Sequence, residues 1–247
     1  MIDIIIFGGQ SNMEGQTESC PDPNPVVSGA YEYRYQTDEL IPLKHPTGED
    51  LFEGWLESAD QGRGSLLPAF CRAYVEESGR DVIAVHAAKG ATTVEQWLPG
   101  VTPLYDSAKE KILAAFAKAD TMDQTVNRIL YVWLQGESDA IARVDEELYL
   151  QRLITYKNAL KRDLCIDRFG IIRVGYFSAD HACDEAIMRA QDKAPTVDRD
   201  FVMLTDICAE MSLDKTYINP EAHGHYNNLA MEIIGETAGR ELAKQIG

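Results

Sequence analysis

The chain has 247 residues, 45% of them hydrophobic and 26% charged, which supplies enough apolar material for one large globular core. Its 40 acidic side chains outnumber 23 basic ones, and the formal charge of −17 argues against nucleic acid and anionic membrane surfaces as partners, because both would repel it. No segment is apolar over enough length to span a membrane, and the first residues lack the basic stretch and cleavage site of a signal peptide. A cytoplasmic location is therefore expected, with secretion after removal of a signal as the alternative.

The cysteines are odd in number and widely scattered, at Cys20, Cys71, Cys165, Cys183 and Cys208. They form no C-x-x-C pair, so neither a disulfide framework nor a zinc site is predicted. Reduced thiols agree with a cytoplasmic protein.

Predicted strands and helices alternate along the chain, beginning with a strand from Ile2 to Phe7 that runs into Gly8-Gly9. Residues 17–60 are rich in Pro, Gly and Asp and are predicted to form a long irregular loop. Beyond them, β-branched and aromatic runs predict strands in DVIAVHAAKG, RILYVWLQG, FGIIRVGYF and DFVMLTDI. Helical spacing of apolar residues predicts helices in LLPAFCRAYVEESG, LYDSAKEKILAAFAKA, DEELYLQRLITYKNALKRDL, DEAIMRAQDKA and NNLAMEIIGETAGRELAKQI.

This alternation predicts the fold class. Strands separated by helices of this length need crossover connections, which produce a parallel sheet covered on both faces. We expect one α/β domain over residues 1–247, a three-layer α/β/α doubly wound sheet of about five parallel strands, with the irregular loop at about 17–60 inserted after the first strand.

The strand ends indicate where chemistry should lie, because ligands of open parallel sheets bind outside the carboxyl ends of the strands. Those ends carry GGQSN, AAKGAT, LQGESD, FSADH and TDIC. Phosphate-binding glycine motifs are missing from the sequence, and no His, Asp or Glu cluster has metal-ligand spacing. Nucleophilic catalysis by Ser11 remains; the simpler interpretation is that Ser11 caps the next helix.

A serine nucleophile needs a base, normally a histidine, and donors for the developing oxyanion. His86 lies inside an apolar strand and is expected to be a core residue. His223 and His225 precede the last helix, and His181 follows the fourth strand. Spacing alone gives His225 only a slight preference over His181.

Five segments in this chain resemble the SGNH-type hydrolases, in particular the sialate O-acetylesterase and acetylxylan esterase group, carbohydrate esterase family 6. They occur in the family's order and span residue 8 to about residue 240: GQSNM, KGATTVEQWLPG, LQGESD, IMRAQ and HYNNLAMEIIG. The resemblance implies a flavodoxin-like fold, a serine esterase that removes O-acetyl groups from a small sugar or oligosaccharide, and no cofactor or metal.

The resemblance also assigns roles by position. Ser11 matches the family's nucleophile, and His225 its base, with Gly235 ten positions later as the family places it. The backbone N–H groups of Ser11 and Gly90 and the side chain of Gln135 match the oxyanion hole. His223 is the alternative base, two residues away.

The carboxylate that normally supports the base is missing. The family shows D-x-x-H, whereas Ala222 stands three residues before His225. We expect Glu137 to replace this aspartate. The alternative role for Glu137 is structural: its carboxylate accepts hydrogen bonds from loop N–H groups and shapes the site. Glu221, Asp206 and a backbone carbonyl are the alternatives.

Asn12, Trp97 and Arg189 are expected to contact substrate, with Arg63 as a second cation for a substrate carboxylate. Core packing for Trp97 and surface ion pairing for the arginines are the structural alternatives. A broader short-chain carboxylesterase and a catalytically impaired carbohydrate-binding protein are the alternative functions, the latter because of Ala222.

Overall fold

The structure is a computed structural model that describes residues 1–57 and 63–246. Its strands are β1 (Ile2–Gly9), β2 (Ala30–Arg34), β3 (Glu39–Pro42), β4 (Asp50–Leu51), β5 (Leu56–Glu57), β6 (Asp81–Ala88), β7 (Val126–Leu134), β8 (Arg168–Ile172) and β9 (Phe201–Thr205). Its helices are α1 (Ser11–Glu14), α2 (Leu67–Ser78), α3 (Leu104–Ala119), α4 (Glu137–Ile141), α5 (Glu146–Leu164), α6 (His181–Val197), α7 (Cys208–Met211) and α8 (Asn228–Gln245).

The described residues form a seven-stranded sheet in the order β3-β2-β6-β1-β7-β8-β9, flanked by helices. Every neighbouring pair is parallel except β2 and β3, so the predicted α/β fold is confirmed. The chain crosses from one side of β1 to the other between β6 and β7. The carboxyl end of β1 is therefore the switch point of the sheet, where such folds open a crevice.

The segment 17–60 is more regular than predicted. β2 pairs with β6 through Ala30 and Val82, and β3 extends the sheet as an antiparallel edge strand. β4 and β5 form a second, two-stranded sheet. The prediction of an irregular loop is therefore wrong for much of this segment, and its residues 58–60 lie outside the described residues. The strands escaped notice because they are short and because β2 contains Glu32, a polar residue that is fully buried.

β1 forms the centre of the core. All of its residues, from Ile2 to Gly9, are buried between β6 and β7. Such a continuous branched apolar run is typical of a parallel strand covered on both faces. Its one charged residue, Asp3, accepts a 2.6 Å hydrogen bond from the Tyr74 hydroxyl on α2, which offsets the cost of burial.

α8 packs closely against α2 through two glycines. A Cβ on Gly235 would lie 2.5 Å from the Leu66 carbonyl oxygen, and one on Gly239 would lie 2.2 Å from that of Phe70. The helices can approach this closely because neither glycine carries a side chain. Within the described residues, no helix is both long and apolar enough to cross a membrane.

Candidate active site

The turn after β1 presents Ser11 at the carboxyl edge of the sheet. Gly9 has φ +146°, and a Cβ there would lie 2.1 Å from the Leu134 carbonyl oxygen, so the turn requires glycine. Ser11 begins α1 and is 5% exposed. Neither its hydroxyl nor its backbone N–H has a hydrogen-bond partner among the described residues.

Ser11 and His225 line the same pocket, which has a volume of about 350 Å³. They come from opposite ends of the sequence, and the fold places both at this pocket. No hydrogen bond joins them directly, which is common in active sites without substrate. Phe177 forms one wall, its ring edge-on to the His225 imidazole at 5.8 Å between centroids. None of the described residues lining this pocket is a lysine or an arginine.

A backbone carbonyl holds the His225 ring. Nδ1 lies 3.2 Å from the His223 carbonyl oxygen and donates to it in the tautomer that leaves Nε2 as an acceptor. Burial lowers the pKa of His225, the charges of Arg63 and His223 lower it further, and hydrogen bonds to the carbonyls of His223 and Ala222 act in the opposite sense. His225 is therefore predominantly neutral at pH 7, the form that can accept a proton.

Asn12 ties the loop that carries His225 to the turn that carries Ser11. Its Nδ2 donates to Glu137 Oε1 at 2.8 Å and to the Gly224 carbonyl at 3.5 Å, and its Oδ1 accepts from the Tyr226 backbone N–H at 3.3 Å. Both ends of the Asn12 amide therefore bind protein groups, and its expected contact with substrate stays a prediction.

Glu137 does not reach the His225 ring, contrary to the expected support of the base. Its Oε1 accepts from Asn12, and its Oε2 is buried without a hydrogen-bond partner among the described residues. Burial raises the pKa of Glu137, and the Asn12 hydrogen bond opposes that rise. No carboxylate in the described parts of the chain, those of Glu221 and Asp206 included, hydrogen-bonds to the His225 ring. The backbone carbonyl, the last of the four alternatives, takes that place.

Gly90 follows β6 and lines the pocket, as expected of an oxyanion-hole residue. Its N–H, however, donates to Glu14 Oε1 at 2.6 Å, while Glu14 Oε2 accepts from Gln16 Nε2 at 3.0 Å. A Cβ on Gly90 would lie 2.8 Å from Glu14 Oε2. A carboxylate of the protein therefore occupies the donor that was expected to face the substrate.

Gln135 is fully buried and does not line the pocket, so its expected contact with an oxyanion is corrected. Its Nε2 donates to Asp139 Oδ2 at 2.6 Å, to the Thr92 carbonyl at 2.8 Å and to Gln10 Oε1 at 3.2 Å. Its Oε1 accepts from the Tyr149 hydroxyl. Burial raises the pKa of Asp139 to about 6, against the lowering effect of the Gln135 hydrogen bond.

Trp97 and Arg189 also lie away from the pocket. Trp97 is fully buried, donates to the Thr92 hydroxyl at 2.9 Å and packs edge-on against Trp133. Arg189, on α6, pairs with Glu146 at 2.9 Å and is largely exposed. The predicted substrate contacts of both residues are corrected: the first is a core residue, and the second belongs to a surface ion pair.

Gln10, Glu14 and Phe177 are among the pocket residues that the sequence did not identify as site residues. Gln10 and Glu14 flank Ser11 in GGQSNMEG, so their position next to Ser11 was the available signal. Phe177 lies at the carboxyl end of the fourth predicted strand, in FSADH, and therefore at the sheet edge where ligands were expected to bind. In the described ranges, no group of three or more His, Cys, Asp or Glu side chains is arranged to hold a metal ion.

A family model described as carbohydrate esterase, sialic acid-specific acetylesterase, matches residues 1–233. Among solved structures, a protein from Arabidopsis thaliana has a TM-score of 0.74 at 16% identity and covers 98% of both chains. A carbohydrate acetylesterase from Xanthomonas citri has a TM-score of 0.60 at 15% identity, covering 98% of this chain and 56% of that one. A lipase/acylhydrolase from Enterococcus faecalis has a TM-score of 0.58 at 10% identity, covering 99% and 97%. These structures share the fold of this chain, and no curated protein matches its sequence.

Proposed function

The chain belongs to the sialic acid-specific acetylesterase family of carbohydrate esterases, and from this premise we propose that it removes O-acetyl groups from a sugar with Ser11 as nucleophile and His225 as base. The observation that carries the proposal is the shared pocket: an unpartnered serine hydroxyl and a neutral imidazole open onto the same space.

The reaction has two halves. Ser11 Oγ attacks the acetyl carbonyl carbon while His225 Nε2 takes the hydroxyl proton, giving a tetrahedral oxyanion. Collapse of this intermediate breaks the bond to the sugar oxygen, which receives the proton from His225, and leaves an acetyl group on Ser11. Water, deprotonated by His225, then attacks that acetyl group and releases acetate and the free serine.

Hydrogen bonding to the His223 carbonyl would orient His225 during both halves. A carbonyl fixes the tautomer and ring direction as a carboxylate does, but it supplies less stabilisation of the imidazolium because it carries no full charge. The proposed enzyme is therefore a Ser–His dyad supported by backbone, with Glu137 acting on the site through Asn12.

Two sugar classes fit this chemistry differently. Glu14 lines the pocket and, among the described residues, no lysine or arginine does, which favours a neutral acetylated sugar. A sialate would need a cation for its carboxylate, and Arg63 is the arginine whose charge acts on His225. Measuring acetate release from a panel of neutral acetylated sugars and acetylated sialates distinguishes the two substrate classes.

The proposal is tested by acetate release from p-nitrophenyl acetate and from the acetylated sugars, with wild type and Ser11→Ala. We expect turnover in the wild type and its loss, by at least about 10³-fold, in Ser11→Ala. Ser138→Ala is the matched control, since this second serine lines the same pocket and holds Gln10 only through its backbone N–H. It should retain nearly full activity.

Activity that survives in Ser11→Ala would show that the nucleophile is wrong. Absence of turnover by the wild type on every substrate would favour a carbohydrate-binding protein. A p-nitrophenyl series in which longer acyl chains react faster would instead favour a broader carboxylesterase.

A further inference from the structure

We propose that the side-chain amide of Gln10 donates a hydrogen bond to the oxyanion, beside the backbone N–H of Ser11. The inference rests on the proposed serine esterase and names a further catalytic residue for it. An esterase needs at least two donors aimed at the developing negative charge, and the residues first expected to supply them are engaged elsewhere.

The first of these residues is Gly90, whose N–H donates to the Glu14 carboxylate at 2.6 Å. A hydrogen bond to a carboxylate is about twice as strong as one to a neutral acceptor, so substrate would have to displace a strong partner. The second is Gln135, whose amide has two hydrogens and lies within hydrogen-bond distance of three acceptors. Its burial also keeps it out of the pocket.

Gln10 has the properties that Gln135 lacks. Its Oε1 accepts from Gln135 Nε2 at 3.2 Å and from the Ser138 backbone N–H at 3.1 Å. These two donors fix which end of the amide is oxygen, so Nε2 must occupy the other side. That Nε2 has no acceptor among the described residues, is not one of the fully buried unpaired atoms, and belongs to a residue that lines the pocket.

The donor is also well placed along the chain. Gln10 directly precedes Ser11, its backbone is extended, and its carbonyl accepts from the N–H groups of Met13 and Glu14, which anchors the start of α1. The unpartnered backbone N–H of Ser11 and the side-chain amide of Gln10 therefore belong to consecutive residues of the same turn. Both donors are fixed before substrate arrives, which is the condition for oxyanion stabilisation without reorganisation.

In this arrangement Gln135 is a positioning residue. The Tyr149 hydroxyl lies 2.9 Å from the Gln135 backbone carbonyl oxygen and 3.2 Å from Gln135 Oε1, and Gln135 Nε2 lies 3.2 Å from Gln10 Oε1, so a buried polar network runs from α5 to the pocket. It holds the Gln10 amide against rotation, which would otherwise turn an oxygen toward the oxyanion.

The test is Gln10→Glu, which keeps an oxygen acceptor for Gln135 and Ser138 and replaces the donating NH₂ by an oxygen. We expect kcat for p-nitrophenyl acetate to fall by about 10²- to 10³-fold, with KM and melting temperature near those of the wild type. Affinity for a trifluoromethyl ketone, which forms an anionic hemiketal with an active serine, should fall by a similar factor. A purely structural role would lower the melting temperature and leave the ratio of ketone affinity to KM unchanged.

A measurement on the wild type covers the case in which the variant does not fold. Adding the ketone to ¹⁵N-labelled protein should shift the side-chain amide signals of Gln10 and leave those of Gln135 nearly unmoved. The inference is overturned if Gln10→Glu keeps kcat within threefold of the wild type, or if the Gln135 amide shifts and that of Gln10 does not. Ser11→Ala separates the two proposals: full activity there ends the esterase mechanism itself, whereas an inactive Ser11→Ala with an active Gln10→Glu ends only the role of Gln10.

Discussion

His225 takes its orientation from a neighbour two residues away in its own loop. The Nδ1–H···O=C contact to His223 spans 3.2 Å, and the ring lies edge-on to Phe177. In the proposed mechanism, this arrangement orients the base in a chain that has Ala222 in place of the family's aspartate. It also leaves the imidazolium without a carboxylate partner, so the charged form is disfavoured.

The first prediction follows from the pKa of His225, which burial, Arg63 and His223 lower. The base must be neutral to accept the Ser11 proton, so kcat/KM should rise with pH through an apparent pKa below the ordinary value of 6.5. Removing a nearby positive charge favours the imidazolium, and Arg63→Gln should therefore move this acid limb to higher pH. A pH–rate profile of both proteins measures it.

Arg189→Gln is the matched control for that profile, because its guanidinium pairs with Glu146 on the surface and does not line the pocket. Its acid limb should coincide with that of the wild type. An acid limb above 6.5 in the wild type would contradict the inferred neutral, buried base.

Individual side-chain directions were the least predictable part of the site. Gln135 and Trp97 stand in segments that do converge on the site edge, yet both side chains turn into the core. Gln135 contacts Tyr149 and Gln10 there, and Trp97 packs against Trp133. These partners are distant in sequence, so the directions of the two side chains depend on tertiary packing. The family resemblance therefore singled out Ser11 and His225, which both line the pocket, but could not give the directions of the side chains around them.

The ends and spans of individual helices were easier to predict than side-chain directions, because they depend on neighbouring residues in the sequence. The helix predicted to stop at Gly79 does so, with the glycine in the left-handed conformation at φ +66° and its N–H bonded to the Val75 carbonyl. The predicted helix LYDSAKEKILAAFAKA coincides with α3. Caps and periodicity are properties of neighbouring residues, which is why they can be read from sequence.

The two glycines in α8, Gly235 and Gly239, lie against α2 and leave no room for a side chain. Because a Cβ on Gly239 would lie 2.2 Å from the Phe70 carbonyl oxygen, Gly239→Ala should push the two helices apart. We expect it to destabilise the protein by about 1–3 kcal/mol, outweighing the gain of about 1 kcal/mol in helix propensity. Urea unfolding measures the difference.

Thr237→Ala controls for propensity, since this residue is exposed on the same helix between the two glycines. Its stability should stay within about 0.5 kcal/mol of the wild type or rise slightly. A Gly239→Ala protein as stable as Thr237→Ala would mean that the α2–α8 contact is looser than described.

For the molecule as a whole, alternation of strands and helices predicted the central parallel strands and their flanking helices, and the sheet proved larger than expected. The sequence pattern did not predict β2 and β3, because both strands are short and because the buried Glu32 interrupts the apolar pattern of β2. Its carboxylate accepts from the Gly48 N–H at 2.6 Å and pairs with Arg34 at 3.0 Å, so the strand tolerates a charge that sequence patterns assign to a loop. The hydrogen bond from Gly48 that offsets the burial of Glu32 forms only in the folded protein, so the sequence pattern does not show it.

Two buried histidines make the folded molecule sensitive to acid. Burial lowers the pKa of His86 to about 3 and that of His45 to about 4. In the unfolded chain both protonate near 6.5, so the stability they confer is present above that pH and is lost as pH falls from 6.5 toward the folded values.

His86→Gln should therefore flatten the fall in unfolding free energy between pH 7.5 and 5 by roughly 2 kcal/mol, since glutamine does not titrate and can still donate to the Met13 carbonyl. Urea unfolding at each pH measures the slope, with His181→Gln, at an exposed site on α6, as the matched replacement. An unchanged slope in His86→Gln would show that His86 is already charged in the folded protein.

The position of Ser11, directly after the central strand, has a consequence for biosynthesis. β1 hydrogen-bonds to β6 and β7, and Asn12 bridges to Gly224 and Tyr226, so the strand and turn that lead to the proposed nucleophile pair with segments that the ribosome adds far later. Such long-range pairing forms late in folding. The proposed base also lies in the last tenth of the sequence. In the proposed mechanism, a nascent chain therefore carries Ser11 without its base, and we expect terminated products that end before this loop to hydrolyse no ester.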